Sequence, residues 1–156
     1  ANNVWTDGSS LLFEIDDATG TAGAAGGPGW DLLDIAVTLD LSGLGTSGFT
    51  IDIDTLLPGG GTNPGEMTNF LSGNDYMWEF VRTSDGLLGL FEEDDFRFDT
   101  SDVANPFTGS FGVSHVGDSL FVTYSAASAV VPEPSTLVLT GTGLLFLAFY
   151  GWRKRQ

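Results

Sequence analysis

Four stretches alternate apolar and polar residues with a period of two. Ile35, Val37, Leu39 and Leu41 alternate with Ala36, Thr38 and Asp40. Phe49, Ile51 and Ile53 alternate with Thr50, Asp52 and Asp54. Tyr76, Trp78 and Phe80 form a third set, and Leu120, Val122 and Tyr124 a fourth. Successive side chains of a strand point to opposite faces, so each stretch reads as a half-buried β-strand. Residues 11–16, 87–92, 96–99 and 111–116 carry the same pattern more weakly. Turn chemistry lies between them. Gly117-Asp118 joins two runs at two-residue hairpin spacing, and Ser84-Asp85-Gly86 joins two more. Residues 58–65 and 19–29 are loops by composition, and a single helical turn fits 66–71. Seven or eight short strands predict a mainly β domain. The expected form is an antiparallel two-sheet sandwich of jelly-roll or immunoglobulin-like type. No internal repeat stands out.

The pattern changes completely near the C-terminus. Residues 135–152 contain no charged side chain. As a helix rising about 1.5 Å per residue they would span roughly 27 Å, close to the hydrocarbon thickness of a bilayer. Arg153, Lys154 and Arg155 follow, a cationic cluster held on the cytoplasmic side. The expected organisation is a β-sandwich ectodomain at 1–127, a Pro-Glu-Pro tether at 128–134, a transmembrane helix at 135–152 and a basic tail at 153–156. The N-terminus is then periplasmic and the C-terminus cytoplasmic, in a single pass through the inner membrane. Thr136, Thr140 and Gly143 make one line of small residues along the helix, and Gly141 and Ala148 belong to a second, so both are candidate helix-packing positions.

Pro132, Glu133 and Pro134, an apolar run and a terminal Arg/Lys cluster stand in a fixed order. This arrangement resembles the PEP-CTERM sorting tail of exported Gram-negative bacterial proteins. The resemblance is confined to the last 25 or so residues. It implies recognition by a membrane enzyme, exosortase, and cleavage near the Pro-Glu-Pro. It implies nothing about the work of the domain that precedes the tail.

Charge sharpens the picture. The chain has 21 Asp and Glu against five Lys and Arg. Glu133 is the one acid of the tail, so residues 1–131 carry 20 acids against Arg82 and Arg97, a net of −18. Such a surface repels nucleic acid and anionic lipid and draws cations or basic partners. Cysteine is absent, so an exported fold here rests on its core and not on disulfides. Ala1-Asn2-Asn3 reads as the mature end left after removal of a signal peptide.

Catalytic chemistry is sparse. His115 is the single histidine, too few for a zinc site of the usual kind, and no Gly-x-Ser-x-Gly elbow marks a nucleophile. Asp52 and Asp54 share a strand face, but paired carboxylates arise by chance in so acidic a chain. Structural calcium is the one cofactor to consider, with Glu92, Asp94, Asp95 and Asp99 as candidate oxygen ligands. Trp5, Trp30, Tyr76 and Trp78 could form a carbohydrate-stacking platform, although the alternation favours a core role.

Two functions follow, neither enzymatic. In the first, the tail is a permanent anchor, and the periplasmic domain braces integral subunits of a larger membrane complex, for example photosynthetic or respiratory. In the alternative, exosortase processes the tail and the domain joins the cell surface or an extracellular polysaccharide matrix.

Overall fold

The computed structural model describes residues 3–24, 28–59 and 61–128. Its chain winds three times around one core. The first turn holds β1 (Asn3–Thr6), β2 (Ser10–Ile15), β3 (Thr21–Ala22), β4 (Gly29–Trp30) and β5 (Leu33–Ile35). The second holds β6 (Leu39–Gly43), β7 (Phe49–Thr55) and β8 (Tyr76–Thr83). The third holds β9 (Leu87–Leu88), β10 (Phe96–Asp102) and β11 (Ser110–Val116), after which β12 (Ser119–Ser125) folds back.

Like strands of successive turns stack on one another. One sheet has the order β1-β6-β9, with both pairings parallel. A second has the order β10-β7-β2-β4-β3, in which β10, β7 and β2 are mutually parallel. The third has the order β11-β12-β8-β5. There β5 and β8 are parallel, and β12 lies antiparallel between β8 and β11.

The mainly β expectation therefore holds, but the antiparallel two-sheet sandwich does not. There are three sheets, and where like strands of successive turns pair directly they are parallel. The physical reason lies in the connections. A hairpin returns the chain beside the strand it has just left, whereas here most corners carry it into a different sheet. Gly117-Asp118 is a hairpin turn as expected, pairing Val116 with Ser119. Ser84-Asp85-Gly86 instead leads from β8 in one sheet to β9 in another. That corner stacks on the one above it: Ser84 N donates to Ile35 O (2.9 Å), and Leu39 N to Gly86 O (3.1 Å). The run predicted over 35–41 is likewise broken at its middle into β5 and β6. The segment 66–71 is not helical; the single helical element among the described residues is a 3-10 turn at Glu93–Asp95. Within the predicted 19–29 loop, β3 and β4 pair in parallel.

Alternation sets what each strand buries. Along β7, Phe49, Ile51, Ile53 and Thr55 are buried while Thr50, Asp52 and Asp54 face outward. One core cluster draws on all three sheets and includes Trp5, Phe13, Leu39, Ile51, Trp78, Phe80, Phe96 and Tyr124. Aromatic rings repeat along the winding. Trp5 lies flat on Phe49 with centroids 4.0 Å apart and planes 3° apart, and Phe49 meets Phe96 edge-on at 6.4 Å.

The corner between β1 and β2 is locked to the corner below. The Asp7 carboxylate accepts from Gly48 N (2.7 Å) and Ser47 N (3.3 Å). Gly48 sits at φ +73, and a Cβ there would lie 2.8 Å from Asp95 O, so glycine is required. The long connection 56–75 is held from the third turn. Buried Asn105 accepts from Met67 N (2.8 Å) and donates to Met67 O (3.1 Å). Asn105→Ala would strand both backbone groups and is expected to cost about 1–2 kcal/mol, read as a lower urea midpoint at unchanged m-value.

Candidate functional site

Parallel stacking brings together carboxylates that lie far apart in sequence. The register aligns Asp99 of β10 with Asp52 of β7, and Asp52 with Leu12 of β2. The next outward row aligns Asp102, Asp54 and Glu14. Asp31 joins the end of this row, where its Oδ2 accepts from Glu14 N (3.3 Å). Both the Asp52 Oδ1 and Asp54 Oδ1 atoms are shut off from solvent with no hydrogen-bond partner among the described residues.

Neither arginine among the described residues relieves the charge. Arg82 pairs with Glu79 on β8, and Arg97 donates to the carbonyl oxygens of Asp94 and Phe96. Burial, then Asp99, then Asp102 push the Asp52 carboxyl above its ordinary range. Burial, Asp102 and Asp52 do the same for Asp54, and burial, Asp31 and Asp54 for Glu14. Other acids are held low. Hydrogen bonding from Asn69 and Thr19 lowers Asp17 against burial, and Arg82 and Ser119 lower Glu79 against burial. Although burial pushes the Asp7 carboxyl up, the bonds from Gly48, Ser47 and Gly45 together outweigh it.

Sequence alternation places Asp52 and Asp54 on one face correctly. It misses Glu14, Asp31, Asp99 and Asp102 as their neighbours, because an outward position does not reveal which strand pairs alongside. The proposed calcium ligands are divided. Glu92, Asp94 and Asp95 sit in the turn before β10, while Asp99 is on the sheet and accepts from Ser101 N (3.0 Å). No group of three or more metal-binding side chains converges among the described residues.

His115 is exposed, with its Nε2 2.6 Å from Gly117 O and its ring 5.6 Å from Phe91. The candidate rings Trp5, Trp30, Tyr76 and Trp78 form no exposed platform. Trp5 and Trp78 are buried, and Trp30 and Tyr76 half-buried. The Trp78 indole donates to Ala18 O (2.9 Å) and the Trp30 indole to Glu79 O (2.9 Å).

At the end of β12, Ala126 N donates to Asp75 Oδ1 (2.8 Å), which ties down the point where the tail leaves the domain. The fold thus defines an acidic, all-β domain of three parallel turns, followed at once by a separate C-terminal signal. That signal is identified: residues 130–156 match the family model of the PEP-CTERM protein-sorting motif. Pro132, Glu133, Pro134, Arg153, Lys154 and Arg155 all fall within the match. The motif marks export and cell-surface sorting, which favours the processed, extracellular reading over the retained membrane subunit. No curated protein and no solved structure matches the chain. Among the described residues no helix is long and apolar enough to cross a membrane. The predicted span 135–152, with Thr136, Thr140, Gly141, Gly143 and Ala148 as packing positions, lies outside the described residues.

Proposed function

We propose that this chain is a non-enzymatic component of the bacterial cell surface or its extracellular matrix, released to that destination by exosortase-type processing of its tail. The observation that carries the reading is the sorting motif at 130–156, which begins within four residues of Ala126, whose amide is tied to the domain through Asp75. The β domain is cargo. Its acidity keeps it soluble and discourages contact with nucleic acid. An extracellular polysaccharide is the partner class most in keeping with such a destination, and it would be met by polar surface, since Trp5 and Trp78 serve the core. This replaces a permanent inner-membrane anchor bracing other integral subunits.

The experiment is intact mass and location. The wild-type protein in its native host is expected outside the inner membrane, lighter than its unprocessed precursor by the mass of the tail. Substituting both Pro132→Ala and Glu133→Ala is expected to hold the chain at full mass in the membrane fraction. Full-length wild-type protein in stoichiometric complex with integral subunits would overturn the proposal.

A further inference from the structure

The outward side of the β11-β12-β8-β5 sheet is unlike the acidic face of β10, β7 and β2. Along β12, Leu120, Val122 and Tyr124 are buried, while half-buried Phe121 and Thr123 face out. Among the described residues Phe121 is the one aromatic side chain outside the core. Every other described Phe, Tyr and Trp belongs to the core cluster or packs against it. The register places its neighbours. Phe121 lies directly beside Glu79 of β8, Ser119 beside Arg82, and Thr123 beside Met77. On the other flank Val116 of β11 lies beside Ser119. Val116, Phe121 and Met77 therefore make a diagonal apolar stripe across three strands. Its members are diagonal neighbours about 7–8 Å apart, so the stripe is roughly 15 Å long. Val116 is 55% exposed and Met77 48%.

Polar groups line this stripe in a fixed arrangement. The Glu79 carboxylate accepts from Arg82 Nε (3.0 Å) and from Ser119 Oγ (2.7 Å), and its other oxygen accepts from a second guanidinium nitrogen of Arg82. A pyranose unit has the matching two-sided character. Its C–H face packs on an aromatic ring, and its hydroxyls both donate and accept. Glu79 supplies an acceptor and Arg82 supplies donors. Because the two hold each other in place, little further ordering is needed on binding. Charge then selects the partner. Residues 1–131 carry 20 acids against Arg82 and Arg97, which repels an anionic polysaccharide or a second copy of the domain but not an uncharged chain. The exposed Leu12 offers no equivalent, since it stands in register with Asp52, itself beside Asp99.

We propose that the stripe centred on Phe121 is the binding site for an uncharged polysaccharide lying diagonally across the sheet. The proposal deepens the reading of the chain as a matrix component and rests on it.

Affinity electrophoresis of the full-length chain in mild detergent tests it. The probe is exopolysaccharide of the native host, split by anion exchange into uncharged and acidic fractions. The uncharged fraction is expected to retard the wild-type chain. Phe121→Ala should weaken that binding about tenfold, the loss of one stacked ring. Met77→Ala should weaken it in the same direction. Phe121→Tyr, which keeps the ring, and Leu12→Ala, on the acidic face, should leave it unchanged. Equal retardation of the wild type, Phe121→Ala and Met77→Ala would overturn the site. Retardation by the acidic fraction alone would overturn the ligand class. No retardation by either fraction, with processed protein still found outside the inner membrane, would overturn the proposal and leave the surface reading standing. Full-mass protein held in the inner membrane would overturn that reading and the proposal with it. Self-association of the wild-type chain that Phe121→Ala abolishes, without retardation by polysaccharide, would assign the stripe to a second copy instead.

Discussion

Phe49→Ala should remove about 3–5 kcal/mol of stability, the usual cost of deleting a fully buried aromatic side chain. Phe49 is 3% exposed, lies flat against Trp5 of the first turn and meets Phe96 of the third edge-on. It thus joins three levels of the winding at one point. Neighbouring turns touch mainly through stacked strands, so a void at this level weakens both interfaces. Domains are commonly stable by only about 5–15 kcal/mol, so the loss would be a large share of the total. Urea unfolding of the full chain in mild detergent, followed by tryptophan fluorescence, would measure it. Leu90→Ala, at an 80% exposed position, is the control and should change stability by less than about 0.5 kcal/mol. A loss below about 1 kcal/mol for Phe49→Ala would mean the ring is not held between the turns.

The second large effect has the opposite sign. Combined Asp52→Asn and Asp54→Asn substitution should stabilise the domain by about 2 kcal/mol at neutral pH, since like charges on adjacent strands destabilise a sheet by up to about 1 kcal/mol per pair. The same rows give the wild-type protein a characteristic pH profile. The Asp52, Asp54 and Glu14 carboxyls are raised in the fold above 3.8, 3.8 and 4.5. A raised carboxyl disfavours the folded state when ionised, so stability increases as pH falls from neutral through these folded values. Asp7, Asp17, Asp40, Asp99 and Glu79 are lowered. What they contribute is present above their ordinary values and is lost as pH falls through their depressed ones. The melting temperature should therefore peak on the acid side of neutral, above the ordinary carboxylate range. In the double Asn variant the rise from neutral pH to that peak should be much smaller. A wild-type melting temperature that only falls as pH drops from neutral would show that the rows do not repel.

These two predictions rest on different kinds of information. That Phe49 is buried and Asp52 faces outward follows from alternation along one strand, and it is readable without any fold. That Phe49 touches Trp5, or that Asp52 faces Asp99, is a statement about partners 44 and 47 residues away. The turns also differ in length. Asn3 aligns with Leu39, 36 residues on, whereas Leu39 aligns with Leu87, 48 residues on. Unequal turns erase the fixed period by which a repeat is normally recognised.

The sequence by itself determined the β character, which strand faces are apolar, the Gly117-Asp118 hairpin, the acidity of the domain and the sorting tail. Each depends on neighbours a few residues apart, or on composition alone. Only the tertiary structure decided that like strands of successive turns pair in parallel across three sheets, that Glu14, Asp31, Asp99 and Asp102 flank the Asp52 and Asp54 pair, and that Trp5 and Trp78 are enclosed. Those outcomes depend on which corner sends the chain into a new sheet and which sends it back. At Ser84-Asp85-Gly86 and at Gly117-Asp118 similar turn residues gave opposite results. The difference lies in what the chain met beyond the turn: for the first, the stacked corner at Ile35 and Leu39; for the second, the open edge of β8.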